Sequence, residues 1–518
     1  MQQRRFAVFP QVMLLGLLTA RTFFATAQST YPVSPLLNSG AGTISPLPPS
    51  NSVSHIAVRN TQIWIGTGKG LARTQDGARS WESFRTVPQF ASNDIFAVAL
   101  HGDTVWVSTG YTKDVNGSGV QTGNGYTFSF DNGTTWSSLP QPLDALNDSL
   151  VAYGANTVNF LPIVVPEQNV TFDVALSSSA IWIASWSSGL RKSTNAGQTW
   201  QRIVLPSSEL NSIAPSDPLG RYIIDPRRDN NYLLFSVYVE NDSTIWAGSA
   251  GGINKSTDGG LSWTKFNTLN QVSHILGNWV IAIKGQKLGT RTRIWTTNWK
   301  ADKPDEQFGV SYTDDGGRIW KNFLHGVKAY DFAFKDSVVY VPTDIGVYRS
   351  DDGGNSWVLS GSVIDTKTDQ RINTAQFFSV GVVGDTIYCG SNDGLATTID
   401  NAAHPFAETW QVLRTYQPVG LTSTVYAYPN PFQPGGGVRF HYSTGGKQAG
   451  VTIEVFDFGM HRIRTVIKDA QRAATPPEHE EWWNGLDEKG NVLANGVYFY
   501  RVIIEGGDPS WGKVMVLQ

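Results

Sequence analysis

Cysteine is almost absent from this 518-residue chain: a single Cys389 excludes an intramolecular disulfide and any zinc site built on several thiolates. It sits in the strand-like run Ile387-Tyr388-Cys389-Gly390, which reads as a small buried apolar residue with nothing nearby to activate a thiolate. Charge is scarce too. Asp, Glu, Lys and Arg make up 16% of the chain, against about 25% in an ordinary soluble protein. So little charge and only four methionines argue against a helical repeat or a coiled coil. A net charge of −3 supplies no global basic surface for nucleic acid. What abounds is glycine (52), tryptophan (18) and phenylalanine (25), the composition of many turns and aromatic strands. Such a chain is too apolar to be disordered. The expected class is all-β and globular, with length for roughly three to four ordinary domains.

The first residues carry an address. Met1 to Arg5 are short and basic, residues 6–20 are apolar, and Ala25-Thr26-Ala27 supplies small residues for cleavage. That layout is a signal peptide at 1–27, followed by a linker at 28–49. No later stretch approaches the ~20 apolar residues of a membrane-spanning helix.

An apolar strand signature then recurs seven times. Its copies are Ile63-Trp64-Ile65-Gly66, Val105-Trp106-Val107-Ser108, Ile181-Trp182-Ile183-Ala184, Ile245-Trp246-Ala247-Gly248, Ile294-Trp295-Thr296-Thr297, Val339-Tyr340-Val341-Pro342 and Ile387-Tyr388-Cys389-Gly390. Each follows a second apolar run, often across a Gly-Asp-Thr type hairpin turn. After each comes Ser/Thr-x-Asp-x-Gly-x-x-Trp, cleanest at Ser256 to Trp263 and Ser350 to Trp357. The Asp position is held by Asp76, Asp131, Asn195, Asp258, Asp315 and Asp352, and the seventh copy, at Asp400, is interrupted before Trp410. In a tight turn such a carboxylate accepts backbone N–H bonds, glycine admits positive φ and tryptophan packs between sheets, so these six are expected to be structural.

These residues resemble the Asp-box (BNR-type) repeats of sialidase-like β-propellers. The spacing over 50–415 fits seven four-stranded blades, with six as the competing count if the last copy is only a closing strand. The repeats also resemble the Ycf48-like assembly family, a likeness that implies a binding scaffold without catalysis. Past a linker at 416–424, residues 425–518 change character. Tyr428-Pro429-Asn430-Pro431-Phe432, the Trp483-Asn484-Gly485 turn and Asn495-Gly496-Val497-Tyr498-Phe499-Tyr500-Arg501 resemble a FlgD-type immunoglobulin-like sandwich and the C-terminal sorting domains of type IX secretion cargo. That likeness implies export to the outside or outer surface of a Gram-negative bacterium, with the secretion machinery as a partner.

Catalytic signatures are mostly missing. There is no Arg-Ile-Pro motif of true sialidases, no Gly-x-Ser-x-Gly elbow and no His-Glu-x-x-His. The Asp114 to Ser118 segment lacks the full ligand series of a calcium loop, so no metal and no cofactor is expected. Two candidate sites remain. On the face opposite the Asp-boxes, Tyr111, Lys113, Asp114 and Asn116 come from a long loop, with Trp186, Trp299, Lys300, Asp302, Asp344 and Asp393 from other units. Of these Tyr111, Trp186, Trp299, Lys300 and Asp302 are the ligand-binding candidates, aromatics beside polar groups that suit a sugar. Around the central channel, aligned inner strands place His55, Ala97, Asp173, Ser236, Val280, Asp331 and Ser379 at equivalent positions. Asp173 and Asp331 are the only acid–base candidates. The leading expectation is an exported, non-catalytic propeller presenting a loop face to a protein or glycan. The alternative is a secreted Asp-box glycoside hydrolase acting on polysaccharide.

Overall fold

The computed structural model describes residues 42–415 and 425–517, apart from positions 92, 117, 302, 476 and 477. The stretches read as a signal peptide at 1–27 and as a linker at 416–424, together with Asp302, lie outside the described residues. Those that are described are nearly all β, with one four-residue α-helix, Pro88–Ala91. No helix among them is long and apolar enough to cross a membrane. They divide into two compact units, with the boundary at Thr415.

In the first unit, seven antiparallel meanders follow one another along the chain, at 53–83, 94–139, 171–202, 234–266, 279–323, 333–359 and 377–413. They are called the first to seventh sheets below. Each signature run is the second strand of its sheet, as in Gln62–Thr67 and Ile245–Ser249. Its alternation puts side chains on both buried faces, and Ile63, Trp64 and Ile65 are all fully buried. Two sheets gain an outer strand: Thr43–Ser45 pairs with Trp81–Ser83, and Ser212–Ile213 with Trp263–Phe266. The first of these falls in the stretch read as linker, so ordered structure begins before residue 50. An extra sheet (Leu150–Tyr153, Asn156–Phe160 and Ile223–Ile224) covers apolar side chains outside the third and fourth sheets.

The sheets touch through their first two strands and the residues leading into them, in chain order and then back to the start. Ser54 Oγ donates to the Ile95 carbonyl at 3.4 Å, Ser108 Oγ to the Thr171 carbonyl at 2.9 Å and Ser236 Oγ to the Val280 carbonyl at 3.1 Å. The Val237 amide donates to Asp173 Oδ2 at 2.9 Å, Lys284 Nζ to the Phe332 carbonyl at 3.1 Å, and Gln376 to the Tyr330 hydroxyl. Closure is tight: a Cβ on Gly390 of the seventh sheet would lie 2.7 Å from the Val53 carbonyl of the first. The Thr415 amide also donates to Asn51 Oδ1 at 2.8 Å.

The repeated turn has one geometry in all six copies. The amide four residues on donates to the same side-chain oxygen: Ser80 to Asp76 at 3.0 Å, Thr135 to Asp131 at 2.8 Å, Thr199 to Asn195 at 3.0 Å, Ser262 to Asp258 at 2.9 Å, Ile319 to Asp315 at 3.0 Å and Ser356 to Asp352 at 2.9 Å. Asp400, in the interrupted copy, has another job. It is buried, it accepts the Tyr340 hydroxyl, and Arg349 Nε donates to it at 2.6 Å.

The second unit consists of two sheets. Val425–Tyr428, Val438–Ser443 and Glu478–Trp483 form one; the other runs Arg462–Arg472, Ala449–Phe456, Gly496–Ile504 and Ser510–Val516 in spatial order. Alternate residues such as Phe440, Tyr442, Val451, Ile453, Tyr500 and Val514 meet in a shared core.

Candidate functional site

Every inner strand except the sixth sheet's, which begins late, carries a β-bulge at the same level: between Val53 and His55, Ile95 and Ala97, Thr171 and Asp173, Leu234 and Ser236, Val280 and Ala282, and Phe377 and Ser379. In the sixth, Ala329 bridges Thr343 at the matching level. A bulge adds one unpaired residue and re-aims its side chain. The added residues are Ser54, Phe96, Phe172, Phe235, Ile281 and Phe378, with Tyr330 matching them in the sixth sheet. All but Phe96 line a cavity of about 190 Å³ among the inner strands. Phe96 is buried behind, 6.0 Å from Phe172 between ring centroids. The result is a largely aromatic collar.

Beside the collar lie the polar groups. His55, Asp94, Asp173, Lys284 and Asp331 line the same cavity. Asp173 bridges two sheets, accepting the Val174 amide at 2.8 Å and the Val237 amide at 2.9 Å. Burial lifts its carboxyl to about 7, against the pull of those two amides and of Lys284, and with a push from Asp331. Asp331 is ion-paired: Lys284 Nζ lies 2.6 Å from its Oδ1.

The cavity thus unites His55, Ala97, Asp173 and Asp331 of the aligned channel set. Val280 requires a correction. Its equivalents each pair with the last small residue of the signature, as Asp173 does with Ala184 and Ser236 with Gly248. In the fifth sheet that partner is Thr297 and the residue is Ala282; Val280 pairs one step earlier, with Asn298. The uniformly apolar run Val280 to Ile283 offered no marker for the register. Ser236 and Ser379 are buried and lie outside the cavity lining.

The face candidates fare differently. Tyr111 to Asn116 do not form a loop: Thr104–Val115 and Ser118–Ser129 are the arms of one long hairpin. Asn116, where the hairpin turns, takes a positive φ of 55°. Tyr111 is half-buried, and Lys113 is held by Glu167 at 2.5 Å. Trp186 and Trp299 are not exposed platforms, having only 9% and 3% of their surface accessible. Trp186 packs on Phe235 and Trp279 with centroids 5.2 and 6.0 Å away. Trp299 Nε1 donates to the Ala329 carbonyl at 2.8 Å. Packing of neighbouring sheets won these indoles. Asp344 accepts the Lys328 amide at 3.2 Å, Asp393 accepts the Asn373 amide at 2.6 Å, and Lys300 is half-buried. No group of metal-ligating side chains occurs among the described residues. Cys389 is buried, and burial pushes its thiol up, away from thiolate.

Sequence reasoning missed the collar and Lys284. The collar was legible as a recurring doublet, Phe96-Ala97, Phe172-Asp173, Phe235-Ser236, Ile281-Ala282, Tyr330-Asp331 and Phe378-Ser379, in which a bulky residue precedes each channel position.

The architecture is that of a β-propeller. No family model matches the chain. A xyloglucanase of a Paenibacillus species is 23% identical over 265 residues, half of this chain and 24% of that protein, so the chain spans about a quarter of the relative's length. Among solved structures, YCF48 from Cyanidioschyzon merolae is 17% identical with a TM-score of 0.43, covering 69% of this chain and 98% of its own. PorZ, a surface component of the type IX secretion system of Porphyromonas gingivalis, is 14% identical with a TM-score of 0.38, covering 90% of this chain and 66% of its own.

Proposed function

We propose that this protein is an exported, non-catalytic propeller of seven Asp-box blades that binds a protein or glycan at the mouth of its channel. In this reading the second unit is an immunoglobulin-like sorting domain that delivers it to the outside or outer surface of a Gram-negative cell. PorZ is described as a surface component and xyloglucanases act on a polysaccharide, and both fit that location. The observation that carries the binding reading is the engagement of the two acid–base candidates, Asp173 and Asp331. Asp331 is neutralised by Lys284 at 2.6 Å, and Asp173 is tied to two backbone amides. A glycosidase needs one carboxylate free to attack or to activate water and another free to donate its proton. The cavity, about 190 Å³, is also smaller than the roughly 300 Å³ at which ordinary ligand pockets begin.

A glycoside hydrolase remains the second reading. The stretch of xyloglucanase similarity favours it, as does a carboxyl at Asp173 that keeps its proton near neutrality. A glycan-array screen of the full chain, run beside an assay for reducing sugar, separates the two. No sugar release is expected, whether or not a glycan binds. Turnover that Asp173→Asn or Asp331→Asn abolishes makes the protein a hydrolase instead.

A further inference from the structure

The ligand class follows from the two layers of the channel, given the reading above that its mouth is a binding site. In the collar, Phe172, Phe235, Tyr330 and Phe378 surround the cavity. Aromatic rings are electron-rich over their faces and attract cations. The polar layer beside it sets the carboxylates of Asp94 and Asp331, with Asp173 holding its proton up to about pH 7, beside Lys284 and His55. Both layers favour a positive group and repel an anion. The site already displays one mode of holding an ammonium: Lys284 Nζ reaches Asp331 Oδ1 at 2.6 Å and donates to the Phe332 carbonyl at 3.1 Å. A pyranose chain suits the site less, because the space is about 190 Å³ and the indoles of Trp186 and Trp299 are buried in packing.

We infer that the channel mouth takes an alkylammonium group on a short apolar stem, seated within the aromatic collar and bound by Asp331 in competition with Lys284. Lys284 is then an internal rival, and removing it frees Asp331 for the incoming cation. An anionic ligand would use Lys284 in the opposite sense, so the sign of the Lys284 effect decides between them. Two sources carry this chemistry: a free small amine, and a lysine side chain projecting from a protein partner.

The test is calorimetric titration of the full chain with n-butylamine, with butyrate as the size-matched anion, and with Nα-acetyl-lysine methylamide. Wild type, Lys284→Gln, Asp331→Asn and the charge-keeping Asp331→Glu are compared, with thermal melts to show that each folds. Both amines are expected to bind and butyrate to stay out. Lys284→Gln should tighten amine binding about tenfold, and Asp331→Asn should weaken it by a similar factor, with Asp331→Glu restoring part of the loss. Preference for n-butylamine assigns the free amine; preference for the lysine derivative assigns a protein side chain. Butyrate binding that Lys284→Gln removes overturns the inference, as does amine binding indifferent to all three substitutions. If no amine binds while a glycan or protein still does, this inference fails and the binding reading stands. Silence towards every probe sinks both.

Discussion

Trp182 of the third sheet and Trp263 of the fourth meet edge to face, their ring centroids 6.4 Å apart and their planes at 77°. The same pairing recurs as Trp64 with Trp136 at 76°, Trp246 with Trp320 at 87° and Trp295 with Trp357 at 83°. In each pair the tryptophan that ends a turn motif abuts the signature tryptophan of the preceding sheet. One residue type thus serves both as strand core and as the joint between sheets, and edge-to-face contact is the geometry aromatic pairs prefer.

That joint leaves no room beside it. Gly260 has φ +94°, and a Cβ there would lie 2.5 Å from Trp182 Cη2. Gly260→Ala is expected to cost about 1–3 kcal/mol, from left-handed backbone strain plus overpacking. The first copy carries Ala78 at this position with φ 69°, so Ala78→Gly should instead stabilise, by up to about 1 kcal/mol. Urea unfolding midpoints of the two variants should therefore move in opposite directions.

The turn carboxylates predict acid sensitivity. Asp131 is held at about 2 by the Thr135 hydroxyl first, then by the Thr135 amide and the Ser129 hydroxyl; Asp76 and Asp352 are likewise held at about 2 by Ser80 and Ser356. A lowered folded pKa contributes stability that is present above about pH 4 and lost as the pH falls toward 2. These groups are solvent-exposed, so the effect is modest. Melting temperatures of wild type should drop over that interval, and less so in an Asp76→Asn/Asp131→Asn/Asp352→Asn variant. Asparagine is tolerated here, since Asn195 accepts the Thr199 amide at 3.0 Å in the third sheet. An unchanged slope would refute the assignment.

Asp173 has the opposite sign. Its carboxyl is raised to about 7, mainly by burial, with Lys284 and Asp331 as the charged neighbours. The stability linked to it is complete below about pH 4 and is lost as the pH rises through 7, at no more than about 1.4 kcal/mol per pH unit. Melting temperatures between pH 4 and 8 should fall in wild type and flatten in Asp173→Asn. The variant starts lower, because the two backbone N–H groups bond to different carboxylate oxygens and the amide puts an NH2 donor in place of one of them. Parallel curves would place the titrating group elsewhere.

Trp299 is a packing residue. Trp299→Ala should cost about 3–5 kcal/mol, and Trp299→Phe less, with ligand affinity unchanged wherever the fold survives. A loss of affinity in Trp299→Phe at unaltered stability would return this indole to the binding site.

Much of the fold was legible in the chain, because its signals are local. The signature strand alternates within five residues, and the turn motif closes on itself through an i to i+4 bond, as between Asp258 and Ser262. A composition rich in glycine and aromatics and poor in charge left little but antiparallel sheets. The site is another matter. Whether Trp186 stacks on a ligand or on Phe235 depends on the neighbouring sheet, which local pattern does not encode. The pairing of Lys284 with Asp331 joins residues 47 apart in sequence, through contact between the fifth and sixth sheets. The level of each channel residue hangs on a bulge, which shifts the register by one and is invisible where every candidate is apolar, as at Val280 to Ile283. Sequence by itself determined the repeating unit and its turn chemistry. Only the meeting of inner strands decided which side chains face the channel, because that depends on distances between chain segments that share no local pattern.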